Sequence, residues 1–224
     1  MTISKEQLKN ITLILARWLL ILAVVLGLLA AFTELAKDVW FREGFSWDQP
    51  VMLTIHGLST PTLDVIMWGV TQFGEVGAIA VTVLAAFWFF RKHKPVDAYA
   101  ILISSSGAAA LNTLLKLLLT RPRPALFPPL VVESSFSFPS GHVTASVAAF
   151  GYLAVLLWRA KHHGWAIACG SFVPLVALSR VYLGVHYPSD TLGSLTFASL
   201  WLIVVFLVRD RYLCQSKETP QSGA

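Results

Sequence analysis

The chain of 224 residues is organised around apolar runs close to twenty residues long. A run of that length crosses a hydrocarbon core of about 30 Å as a helix. In that solvent the backbone has little other choice, because every N–H and C=O must be bonded within the protein. Hydropathy along the chain gives six such helices, at about residues 11–33, 63–90, 96–119, 141–158, 164–185 and 190–208. Composition agrees: hydrophobic residues make up 56% and charged residues 13%, against about 45–50% and about 25% in soluble domains. The expected fold is all-α, a six-transmembrane-helix bundle in one membrane domain over residues 1–215, with a polar tail at 216–224. Gly74, Glu75 and Gly77 interrupt the second helix. It is either one irregular span or a short interfacial helix from Thr62 to Phe73 followed by a span from Glu75 to Phe90.

The net charge of +5 does not point to nucleic acid, because of where the cations fall. Lys5, Lys9, Arg91, Lys92, Lys94, Arg159, Lys161, Arg209, Arg211 and Lys217 sit in polar connectors and tails that alternate along the chain. That is the pattern of cytoplasmic loops, and it places both termini in the cytoplasm. Lys5 and Lys9 precede an apolar stretch, Ile11 to Phe32, about twice as long as the apolar region of a signal peptide and without a small-x-small cleavage site. It reads as a retained first helix. Cys169 and Cys214 have no CxxC spacing and read as structural. The run Ser104 to Ala110 consists of small residues, suited to close helix packing or to a polar lining.

Three segments remain on the outer side: about 34–62, about 120–140, and a tight turn at Tyr187-Pro188. The first carries Trp40, Phe41, Phe45 and Trp47, which suit a membrane interface. The second and third carry chemistry. Ser140, Gly141 and His142 follow Pro139, a residue suited to a first helical turn. Their backbone N–H groups then face an anion at a helix N-terminus, or the segment is a serine-capped helix with a surface histidine. Lys116 and Arg123 lie seven apart, and Pro122 and Pro124 hold Arg123 in an extended turn. These cations, and Arg121 beside them, suit phosphate oxygens or a snorkelling rim. His186 and Asp190 are four apart across Pro188, with Ser179 and Arg180 just upstream. A carboxylate there can fix the imidazole tautomer and leave the other ring nitrogen as nucleophile or base. Cations that converge from several membrane helices on one face mark a function.

These three segments resemble the signatures of the type 2 phosphatidic acid phosphatase family. Lys116 to Pro124 is similar to K-x6-R-P, Pro139 to His142 to P-S-G-H, and Ser179 to Asp190 to S-R-x5-H-x3-D. The resemblance implies that His186 attacks phosphorus to form a phosphohistidine, with Asp190 orienting it and His142 protonating the leaving oxygen. Lys116, Arg123, Ser140, Gly141 and Arg180 would hold the phosphate oxygens. It implies no cofactor and no metal; within the motifs only Asp190 is acidic, with Glu133 nearby, whereas Mg²⁺ chemistry draws on carboxylate ligands.

The expected partner is a lipid phosphate or diphosphate in the bilayer. Undecaprenyl diphosphate, phosphatidylglycerol phosphate and phosphatidic acid all present that group at the same depth. A phosphotransferase of the same family and a non-enzymatic lipid carrier are the rival expectations. Short loops point to a bacterial inner membrane, with the site facing outward.

Overall fold

The computed structural model describes residues 5–218. Its helices are α1 (Lys5–Trp40), α2 (Asp48–His56), α3 (Pro61–Arg91), α4 (Pro95–Leu119), α5 (Gly141–Arg159), α6 (His163–Tyr182) and α7 (Pro188–Glu218). All but α2 contain a segment long and apolar enough to cross a membrane. The chain is an integral membrane protein. Leu20, Leu84, Phe87 and Ile167 point outward, where acyl chains replace water as their solvent.

The interior is formed where α3, α4, α5 and α7 meet. Ile101, Tyr152 and Ala198 are fully enclosed there, and the Tyr152 and Phe206 rings stack with centroids 4.9 Å apart. The small-residue run of α4 divides between both expected uses. Ser104 donates to the Ala148 carbonyl at 2.9 Å and accepts from Trp201 Nε1 through its own carbonyl at 2.9 Å. Ser105, Ser106 and Ala109 instead line a cavity. At the opposite end from that cavity's charged mouth, Arg209 pairs with Asp97 and Arg159 with Asp210. These pairs tie α7 to α4 and α5.

Several elements differ from the sequence expectation. The first helix runs on to Trp40, and no residue of its most apolar window is buried inside the protein. The second span is one helix; Gly74, Glu75 and Gly77 form a π-helical turn at Phe73–Gly77 instead of a break. One extra residue in the turn keeps the axis running while rotating the helix face. The fifth helix ends at Tyr182, leaving 183–187 as the turn. The last begins at Pro188, two residues before the expected 190, and continues past 208 to Glu218. Pro139 is outside its helix, joined to Phe138 by a cis peptide, and the helix starts at Gly141. Of the expected polar tail, residues 219–224 lie outside the described residues, as do the side chains of Lys5, Lys9 and Lys217.

Two glycines permit the approach that assembles the outer end. A Cβ on Gly74 would come within 2.6 Å of Val176 and 2.9 Å of the His142 Cβ, so α3, α5 and α6 meet only without one. Gly184 takes φ +77°, which turns the chain from α6 toward α7 beneath the Phe127 ring.

Candidate active site

The site forms where the 120–140 loop folds back over the 183–187 turn and the start of α5. α4 stops at Leu119, and Thr120 adopts φ +43°. The loop is pinned by Ser137 N–H to the Arg121 carbonyl at 2.9 Å and Leu130 N–H to the Leu183 carbonyl at 3.0 Å. Local sequence explains this course. Prolines at 122, 124, 128 and 129 forbid a helix, so backbone bonds go to other segments instead.

Apart from Arg121, the residues expected from the sequence gather here. Lys116 Nζ donates to Ser135 Oγ at 3.2 Å and to the Phe136 carbonyl. Arg123 donates through Nε to the Ser135 carbonyl at 2.7 Å and through Nη1 to the Val185 carbonyl at 2.7 Å. The same Nη1 lies 3.3 Å from His186 Nε2. A guanidinium only donates, so that ring nitrogen carries the lone pair and Nδ1 carries the proton. Nδ1 faces Asp190 Oδ2 at 3.5 Å, too long for a formed hydrogen bond but close enough for charge attraction. Asp190 is fixed by other donors: Ser137 Oγ at 2.5 Å and the Tyr187 N–H at 2.8 Å on Oδ2, with Arg121 on Oδ1.

Arg180 is the largest fully enclosed side chain among the described residues, 1% exposed. It donates to Thr71 Oγ1 at 2.9 Å and to Glu133. Glu133 also lies 3.7 Å from Arg123, so its carboxylate spans the two guanidiniums. Burial would push that carboxyl up, but the Arg180 charge and hydrogen bond outweigh it and hold it below the usual range. His142 Nε2 is 3.2 Å from Glu75 on the π-helical turn, whose side chain is 62% exposed.

Two buried polar atoms here have no hydrogen-bond partner, Ser140 Oγ and Arg180 Nε, while His186 Nδ1 has only the long approach to Asp190. Unmet buried polar groups are rare, and both of these lie among the cations of the site. The Ser140 N–H is taken by Ser194 Oγ at 2.6 Å, so among these donors its hydroxyl is what remains for a ligand. A cavity of about 500 Å³ begins at Lys116, Arg123, Gly141, His142 and His186. It continues between α3 and α4 along Ala78, Ile79, Val83 and Leu102. One end is cationic and the other is oily.

One sequence reading does not hold. Arg121 does not face this cavity; it is turned behind Asp190 and ion-paired to Asp48 at 2.9 Å. The two arginines turn to different sides of the loop, and of the two only Arg123 reaches the His186 ring. Sequence reasoning also missed Asp48, Ser137, Thr71 and Glu75 as neighbours of the site. Asp48 carried one signal, an acid amid interfacial aromatics, but nothing in its surroundings named its partner.

A family model described as the PAP2 superfamily matches residues 97–213. The chain belongs to the PAP2 superfamily. Among curated relatives, phosphatidylglycerophosphatase B of Bacillus subtilis is 34% identical over 187 residues, spanning 80% of this chain and 89% of that protein. Undecaprenyl-diphosphatase BcrC of the same organism is 34% identical over 168 residues, 70% and 80% of the two chains. The crystal structure of a transmembrane PAP2 type phosphatidylglycerolphosphate phosphatase from Bacillus subtilis superposes with a TM-score of 0.72 at 30% identity, over 84% of this chain and 96% of that one. As a PAP2 member with phosphatases for relatives, this chain is a phosphate-ester hydrolase. Among the described residues no group of three or more His, Cys, Asp or Glu side chains is placed to hold a metal ion.

Proposed function

We propose that this PAP2 protein releases phosphate from a lipid phosphate or diphosphate at the outer leaflet of a bacterial inner membrane, with both termini in the cytoplasm. The observation that carries the reading is the His186 ring: its free Nε2 stands beside Arg123 at the cationic end of a cavity that becomes apolar between α3 and α4. That shape fits a lipid whose headgroup meets the cations while its chain leaves toward the bilayer.

His186 Nε2 attacks phosphorus as the bond to the leaving oxygen breaks, and His142 gives that oxygen its proton. Asp190 faces the positive charge that grows on the ring. Water then attacks the phosphohistidine, His142 takes its proton, and phosphate departs. Lys116, Arg123, Arg180, the Ser140 hydroxyl and the Gly141 amide hold the oxygens on which charge develops; fixed donors of this kind carry much of such a rate enhancement. The incoming phosphate displaces Glu133 from between Arg123 and Arg180. This cationic site repels a divalent ion, so the chemistry proceeds without one. Phosphate release from a panel of undecaprenyl diphosphate, phosphatidylglycerol phosphate and phosphatidic acid in excess EDTA tests the reading. Turnover unaffected by EDTA is the expected result. Release that requires added metal, or that appears only with a lipid acceptor, would overturn it.

A pH dependence follows. Burial pushes the His186 imidazole down to about 4, and Asp190 only partly restores it against Arg180 and Arg123. The ring therefore stays neutral, and nucleophilic, well below the pH at which a free histidine is protonated, about 6.5. The acid limb of kcat/KM should fall nearer pH 4 than pH 6.5, once substrate ionisation, followed by phosphorus NMR, is divided out. A limb at pH 6.5 that moves with His186 environment variants would contradict the assignment.

A further inference from the structure

Behind His186, on the side away from the cavity, lies a second charged cluster that the mechanism above does not use. Arg121 Nη1 donates to Asp190 Oδ1 at 2.5 Å and to Ser189 Oγ at 2.7 Å, and Nη2 donates to Asp48 Oδ2 at 2.9 Å. Asp48 in turn accepts from the Ser189 N–H at 2.9 Å and the Ser189 hydroxyl at 2.5 Å. The guanidinium is stacked over the Tyr187 ring, 4.2 Å from its centroid, with Phe45 on its other flank at 5.6 Å. Asp48 and Asp190 are 1% and 0% exposed, so solvent screens neither of them.

We infer that Asp48, which sits in the first outer segment and outside all three motifs, is a positioning residue that keeps net negative charge behind His186 by sharing Arg121 with Asp190. The inference rests on the proposed role of His186 as nucleophile. Arg121 paired with Asp190 alone would cancel the carboxylate that must face a developing imidazolium. With Asp48 present, two carboxylates share one guanidinium and one negative charge remains. The cluster also fixes geometry. Arg121 and Ser137 approach Asp190 from the loop, and Asp48 binds Ser189 at the start of α7, so the carboxylate cannot swing toward Arg123 or Arg180 on the cavity side.

A merely structural anchor would give a different signature from a charge donor. Asp48→Asn keeps size and an acceptor but removes the charge. With the best lipid phosphate of the panel, kcat should fall about 10- to 100-fold, the usual cost of losing an outer partner of a reacting group, with KM within about twofold. Arg121→Gln removes the guanidinium that orients Asp190, leaves Asp48 and Asp190 buried without their shared counter-cation, and should lose at least as much. The pair Asp48→Asn with Arg121→Gln returns the cluster to a single negative charge on Asp190, and kcat should rise above either single variant. Two losses that simply add, or Asp48→Asn with wild-type kcat, would overturn the inference. Should Asp48→Asn not fold, as judged by thermal unfolding in detergent, the double variant against Arg121→Gln decides by itself: a higher kcat supports the charge role and an equal or lower one refutes it. His186→Ala runs alongside; phosphate release by that variant would remove the underlying mechanism, whichever way Asp48 behaves.

Discussion

Replacing His186 by alanine lowers phosphate release by roughly a thousandfold or more, the scale at which covalent catalysis is lost when its nucleophile is removed. The ring is 1% exposed, and its Nε2 lies 3.3 Å from the Arg123 guanidinium. His142 lines the same cavity but has Nε2 directed to Glu75 at 3.2 Å. The cations remain in the variant, and substrate binding should persist with KM little changed. An alkaline quench during turnover, which preserves phosphohistidine, should trap labelled enzyme in the wild type and none in His186→Ala. Labelled His186→Ala, or a variant with more than about a tenth of wild-type rate, would move the nucleophile elsewhere.

Arg180→Ala should follow closely, with kcat down about 100- to 1,000-fold, the range seen on removing one preorganised donor from a transition-state site. Arg180 combines an unpartnered buried Nε with Nη groups on Thr71 and Glu133, so its plane is set before any ligand arrives. Arg180→Lys should recover little, because an ammonium cannot present two parallel donors to phosphate oxygens. The thermal midpoint in detergent should drop as well, since Glu133 loses its principal partner. That drop is limited, because the Glu133 side chain is 25% exposed and can turn to water. Steady-state kinetics and thermal unfolding on the same preparations separate the two effects. A kcat within tenfold of wild type would remove Arg180 from the phosphate cradle.

The prolines of the outer loop show what local sequence can convey. They announce that helix stops after Leu119, as the structure bears out, and they favour extended chain at Arg123. They say nothing about the side to which each neighbouring arginine turns. Arg121 and Arg123 are two residues apart with the same chemistry, yet one meets Asp48 and Asp190 and the other meets His186. The second helix is similar. Gly74, Glu75 and Gly77 visibly disturb it, but a π-helical turn and a break produce the same disturbance in the sequence. The contacts of Gly74 with α5 and α6 settle which one forms.

By itself the sequence determined the membrane class, the six spans and the three polar segments, because each rests on short-range patterns of apolar length, proline and charge. It also placed Lys116, Arg123, Ser140, Gly141, His142, Arg180, His186 and Asp190 at helix ends on one face. The tertiary structure decided the rest: the ring nitrogen that is free, the carboxylate of Glu133 across two arginines, the cavity between α3 and α4, and the Asp48–Arg121–Asp190 cluster. Four of the six spans lie between Asp48 and Asp190 in sequence, and no local propensity couples them. They meet on one guanidinium because a carboxylate buried in a low-dielectric interior needs a counter-cation, and Arg121 is the cation that reaches both.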